Sequence, residues 1–105
     1  MHSLVHHHAK KRKELEESTF SKQILYRITV IAGILAPLMV LPQIFKIFST
    51  HDASGVSAIS WFAFALLDAP FIIYGFVHKE KPIVITYTLF FIGNLIVGIG
   101  ALIYS

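Results

Sequence analysis

The sequence predicts an all-α membrane protein, a bundle of three transmembrane helices, and three observations predict it. Of 105 residues, 55% are hydrophobic and 14% charged, too apolar a mixture for an ordinary soluble domain of this size. The charges are segregated: Lys10, Lys11, Arg12, Lys13, Glu14, Glu16, Glu17, Lys22 and Arg27 all precede residue 28, and six charged residues remain in the rest of the chain. That rest falls into three apolar stretches, over about 28–48, 56–77 and 82–104. Each is close to the ~20 residues that cross a ~30 Å hydrocarbon core.

Residues 1–23 mix His, Lys, Arg and Glu with few large apolar groups and read as a basic, His-rich solvated tail or a short helix at the lipid headgroups. Residues 24–105 form the membrane domain. The run Lys10 to Lys13 is drawn to anionic headgroups by ~1 kcal/mol per residue, so membrane proximity accounts for it and nucleic acid is not implied. His6, His7 and His8 are adjacent in a flexible tail and do not make a metal site. The chain has no cysteine, which closes disulfide and thiolate-metal chemistry. A signal peptide is a poor account of the first stretch, which follows a long hydrophilic segment and precedes no clear small-x-small cleavage site.

The first span carries Gly33, Pro37 and Pro42. Each proline removes a backbone donor and crowds the preceding turn, so this helix is expected to bend or break locally and to supply a hinge. The connector Ser49 to Gly55 is short and polar, ending at Ser57, which can cap the next helix. Its shortness predicts that spans one and two are antiparallel neighbours. The second connector, His78 to Lys81, is shorter still and leads to Pro82, suited to the first residue of a helix. Span three contains Gly93, Gly98, Gly100 and Ala101. Such small residues let helices approach where lipid gives no hydrophobic drive for association.

Asp68 lies near the middle of span two, where an ionised carboxylate costs roughly 2.5–3.5 kcal/mol on insertion scales. It needs a partner or a proton. One reading makes it part of a water-lined cavity that binds solute or relays a proton. The other makes it a structural group hydrogen-bonded to Thr86, Tyr87 or Asn94 of span three. At helical spacing Asp68, Phe71 and Gly75 share a face of span two, as do Tyr87, Phe91 and Asn94 in span three, so two half-polar faces could meet. Pro70 can rotate the faces on either side of it, which leaves both orientations of Asp68 open. Asn94 needs a hydrogen-bonding partner of its own, as interhelical glue or as a solute contact. Trp61 and Tyr104, near span ends, read as aromatic belt residues.

The stretch Val40-Leu41-Pro42-Gln43-Ile44-Phe45-Lys46-Ile47, then Ser54-Gly55-Val56-Ser57-Ala58-Ile59-Ser60-Trp61, then Ile73-Tyr74-Gly75 resembles a PQ-loop repeat. In length and single copy the chain resembles the SemiSWEET sugar transporters. The resemblance implies a three-helix bundle paired in parallel with a second copy, a homodimer enclosing a central path for a small sugar by alternating access, in the bacterial inner (plasma) membrane. Three helices of this length leave no lumen of their own, and parallel repeats related by an axis along the membrane normal are a known transporter design. By the same resemblance Pro42 is the flexing point of a gate and Gln43 satisfies backbone groups freed by the proline. The positions where many SemiSWEETs carry a pocket Trp and Asn correspond here to Phe71 and Tyr87. The Phe keeps a ring face and the Tyr a hydroxyl, but the indole donor and carboxamide fork are gone. Asp68, one turn from Phe71, adds an ionisable group outside that pattern.

Orientation has two readings. The tail and second connector hold eight Lys and Arg while the first connector and C-terminus hold only Lys46. The positive-inside rule therefore places the N-terminus in the cytoplasm, whereas the resemblance places it outside. The leading expectation of function is a homodimeric carrier of a sugar or similar small polar solute. Pro42 and Gln43 form its hinge, Phe71, Tyr87, Asp68 and Asn94 surround its pocket, and it needs no cofactor. The alternatives are a proton-coupled carrier of an amino acid or cationic solute using Asp68, and a small non-transporting membrane adaptor. An enzyme is not expected: no Ser/His/Asp set, metal-ligand spacing or phosphate-cradling Gly loop lies at membrane depth.

Overall fold

The computed structural model describes residues 2–105, with side chains from Val5 onward. Every regular element among them is a helix: α1 His2–Leu38, α2 Leu41–Thr50, α3 Ala58–Val77 and α4 Lys81–Tyr104. Three segments are long and apolar enough to cross a membrane, Val5–Thr50, Ala58–Val77 and Lys81–Tyr104, so the chain is an all-helical, multi-pass membrane protein by length and composition. The chain divides into two units between Val30 and Ile31.

In the first unit, residue 1 lies outside the described residues and the basic tail is helical from His2. Its side chains from Val5 to Thr29 are exposed. An i,i+4 ion pair, Arg12 to Glu16 at 3.5 Å, joins two such exposed groups, a contact worth a few tenths of a kcal/mol at about 25 °C in water.

In the second unit the first span breaks where its prolines predict. Pro42 has no N–H to give the preceding turn, and α1 stops at Leu38 while α2 starts at Leu41 with Pro42 in its first turn. The two residues between tighten into an i−3 pattern, with Val40 N donating to Pro37 O at 3.1 Å and Met39 N shared between Leu35 O and Ala36 O. Pro37 and Val40 are buried.

The two connectors follow similar rules. Ser57 caps α3, its hydroxyl accepting from Ser60 N at 3.2 Å. Glu80 precedes α4 and Pro82 takes its second position, one later than the sequence suggests. Helices α2 and α3 both end on a left-handed residue, His51 and Lys79, each at φ 54°. The next amides reach back five residues, Asp52 N to Ile47 O and Glu80 N to Gly75 O, which is the Schellman closure normally reserved for glycine.

Helix α4 is the centre of the bundle, packed along α3 on one side and against α2 on the other. The expectation that spans one and two are direct neighbours is therefore corrected: span three lies between them. The reason is the placement of its small residues. A Cβ at Gly100 would meet Ile47 and Phe48 of α2 at 3.0 Å, one at Gly98 would meet the Phe62 ring of α3 at 2.9 Å, and one at Gly93 would meet Val40 at 3.3 Å. Two flanks of one helix thus carry the close approaches that lipid-embedded association needs.

The first span and α4 run parallel. Gly33 faces Thr86, Val40 faces Gly93 and Ile47 faces Gly100, pairs spaced one heptad apart on each helix, with the glycine on either side of the seam. Val40, Ile47, Ala53, Val97 and Ala101 form the buried core, with Phe48, Trp61, Phe90 and Tyr104 packed onto it. Ala53 N donates to Tyr104 O at 3.1 Å, and the Tyr104 ring stands edge-on to Phe48 and His51. This ties the first connector to the end of α4, and Tyr104, read from sequence as a belt residue, is a packing residue here.

Candidate functional site

Helices α3 and α4 are antiparallel, and the polar residues of the two spans meet across their seam. Asn94 Nδ2 donates to Asp68 Oδ2 at 2.9 Å. Asp68 is 8% exposed and Asn94 5%, so both reside within the bundle, one turn or more from any connector. Of the partners considered from sequence, Asn94 is the one brought to Asp68.

One turn along the same seam, Phe71 and Tyr87 stack with ring centroids 4.5 Å apart and planes 10° from parallel. An offset stack of this kind adds about 0.5–1.5 kcal/mol beyond the area it covers. All four residues expected to surround a pocket, Phe71, Tyr87, Asp68 and Asn94, line one cleft of about 360 Å³. Gly75, on the same face by spacing, serves packing: a Cβ there would press on Val84 at 2.8 Å.

Sequence periodicity missed the rest of the lining. Trp61, Phe64 and Leu67 of α3, Phe90 of α4 and Val40 at the helix break complete the cleft. Trp61 stands half-buried, edge-on to Phe64 at 5.7 Å, rather than serving only as a belt aromatic. The signal for it was present in the sequence, since Trp61, Phe64 and Asp68 follow the i, i+3, i+7 spacing of one helical stripe. On α4, Phe90 rather than Phe91 turns to the cleft, as its spacing to Tyr87 and Asn94 also permits.

Pro42 and Gln43, expected from the sequence to form a hinge, lie apart from the polar pair. Pro42 is exposed and Gln43 half-buried in α2, and the Gln43 carboxamide makes no hydrogen bond among the described residues. Val40, two residues before Pro42, connects the two regions: it closes on Gly93 and borders the cleft. A change of angle at the break would therefore move one wall of the cleft. Among the described residues no group of three metal-ligating side chains occurs.

Chemically the cleft is an aromatic-lined, apolar recess with one carboxylate and one carboxamide at its base, open on one side. It can bind and orient a small solute; it offers no nucleophile paired with a base. No family model, curated protein or solved structure matches this chain.

Proposed function

We propose that the chain is a solute carrier of the SemiSWEET type, in which two copies pair in parallel, enclose a central path and pass a small polar solute, a sugar or a compound of similar size, by alternating access. The observation that carries this reading is the open cleft at Asp68 and Asn94. A carboxylate and a carboxamide at membrane depth, on the wall of an aromatic-lined cleft, are groups able to hold a small polar solute there. A second copy placed over the open side would turn the recess into a path.

The break at Met39 and Val40 supplies the moving part. Pro42 keeps the two helical segments from merging into one hydrogen-bonded rod, and Val40 couples their angle to the cleft wall. Phe71 and Tyr87 offer ring faces and a hydroxyl, and Asp68 and Asn94 offer hydrogen bonds.

The test is uptake of labelled mono- and disaccharides into proteoliposomes, with native protein against Tyr87→Ala. Uptake that is saturable and lost in Tyr87→Ala supports the reading; no uptake of any sugar or other small polar solute, with folded protein in the membrane, sinks it. A second reading, proton-coupled transport of an amino acid or cationic solute, is favoured by Asp68 itself. It requires uptake that responds to a pH gradient and loses that response in Asp68→Asn.

A further inference from the structure

We infer that the cleft selects a small quaternary ammonium ion rather than a neutral polyol, with Asp68 as the counter-charge and the aromatic side chains of Trp61, Phe64, Phe71, Tyr87 and Phe90 as its walls. This rests on the carrier reading for its role in transport and names the solute that the carrier takes.

The first support is the charge balance. Asp68 has no cationic partner among the described residues: its hydrogen-bonding partner is Asn94, and no Lys or Arg lines the cleft. The lysines beyond the first span lie in or beside the second connector, at Lys79 and Lys81, and Lys46 is exposed on α2. Tyr87 is the other titratable group on the cleft wall. An intramembrane carboxylate left without a cation of its own carries a large cost, and a bound cation removes it.

The second support is the mismatch between ring faces and hydrogen-bonding groups. Five aromatic side chains line a cleft whose polar groups are Asp68, Asn94, the Trp61 indole and the Tyr87 hydroxyl. The amide nitrogen of Asn94 is already engaged by Asp68. A polyol entering such a recess leaves hydroxyls without partners, each at a desolvation cost. A quaternary ammonium ion brings no N–H donor to satisfy, choline adding a single hydroxyl, and its diffuse positive charge is attracted to the aromatic ring faces left free beside the Phe71–Tyr87 stack. The volume of about 360 Å³ admits an ion of the size of choline.

The experiment uses the full chain in detergent, where Trp61 is the only tryptophan and reports directly from the cleft wall. Choline is titrated against its neutral carbon isostere, dimethylbutanol, and against glucose, following Trp61 fluorescence. The expected result is a saturable change with choline and binding of the isostere weaker by about tenfold or more, the difference that one charge facing a desolvated carboxylate and aromatic box makes. Asp68→Asn, which keeps a hydrogen-bonding group beside Asn94, should remove most of that preference and leave the part that the rings supply. Phe71→Leu, one turn from the polar pair and leaving both of its members in place, should weaken choline severalfold while the isostere changes less.

Equal binding of choline and dimethylbutanol, or binding of glucose in place of choline, overturns the proposal. Uptake of the same compounds into proteoliposomes separates the two readings. Choline binding without transport of any solute refutes the carrier and leaves the cation site supported; sugar uptake by a protein that does not bind choline refutes the cation site and leaves the carrier standing.

Discussion

Along the flank of α4 that meets α2, Gly100 admits Ile47 and the Phe48 ring, and Ile47, Val97 and Ala101 are buried with no polar side chain among them. Along the flank that meets α3, the same helix presents Asn94 and Tyr87 to Asp68 and Phe71 beside an open cleft. Both flanks use glycine for close approach, yet one is sealed and the other holds a polar pair beside an open cleft. Close packing thus lies on one face of α4, and the polar pair with its cleft on the other. The sealed seam fixes α4 against the first span, so the second seam can carry groups that a packing interface would exclude.

The sealed flank is the place to break this division most severely. Gly100→Val adds methyl groups where a Cβ alone would already stand 3.0 Å from Ile47 and Phe48, and Ile47 is fully buried and has nowhere to move. Overpacking of this kind costs about 1–3 kcal/mol, to be read as earlier unfolding by heat or SDS in detergent. Phe64→Ala, on the exposed cleft wall, should change the same measurement by no more than about 0.5 kcal/mol. Equal losses in the two variants would erase the distinction between the flanks.

Next in size is Asn94→Leu, which leaves Asp68 without its donor. Interhelical hydrogen bonds in membranes are worth about 0.6–2 kcal/mol, so this variant should unfold earlier than native protein but later than Gly100→Val. Asp68→Asn, which retains a bond across the seam, should be the milder of the two polar changes. If instead Asn94→Leu stabilises the bundle, the pair is held there against packing for function alone.

Smaller effects sit at the helix ends. Lys79 holds a left-handed conformation without being glycine, at a cost of roughly 1 kcal/mol, part of which Lys79→Gly should return as added stability. Smallest of all is the pH response of the first connector. Hydrogen bonds from the Ser54 hydroxyl and then its amide hold the exposed Asp52 carboxyl below its ordinary value. A lowered folded value means that the connector's stabilisation is present above about pH 4 and is lost as pH falls through the lowered one. A carbon-13 titration should show Asp52 protonating at lower pH than a free carboxyl, and Ser54→Ala should move it back up.

Much of this was legible in the sequence because the relevant physics is local. Prolines at positions 37 and 42 cannot support an unbroken ladder, and the break falls between them. Ser57 caps a helix because its hydroxyl precedes an apolar run, and a carboxylate inside hydrocarbon needs a partner or a proton, which made span three one of two readings for Asp68. The helix order was not legible. A short connector suggests adjacency, but adjacency in the bundle is set by which surfaces interlock, and Gly98 and Gly100 give α4 two such surfaces where the first span and α3 have mainly one each. Nor was the cleft legible in full: Trp61, Phe64, Phe90 and Val40 come from three helices, and their convergence depends on crossing geometry that no single helix encodes.

The number of spans, the break in the first and the placing of Asp68 and Asn94 at membrane depth were thus legible in the sequence, since each follows from hydrogen bonding and solvation along one stretch of chain. Only the tertiary structure decided that α4 lies in the middle, that Asn94 rather than Thr86 or Tyr87 meets Asp68, and that five aromatic rings gather around them. Those are properties of surfaces in contact, and contact between helices far apart in the chain is fixed by shape.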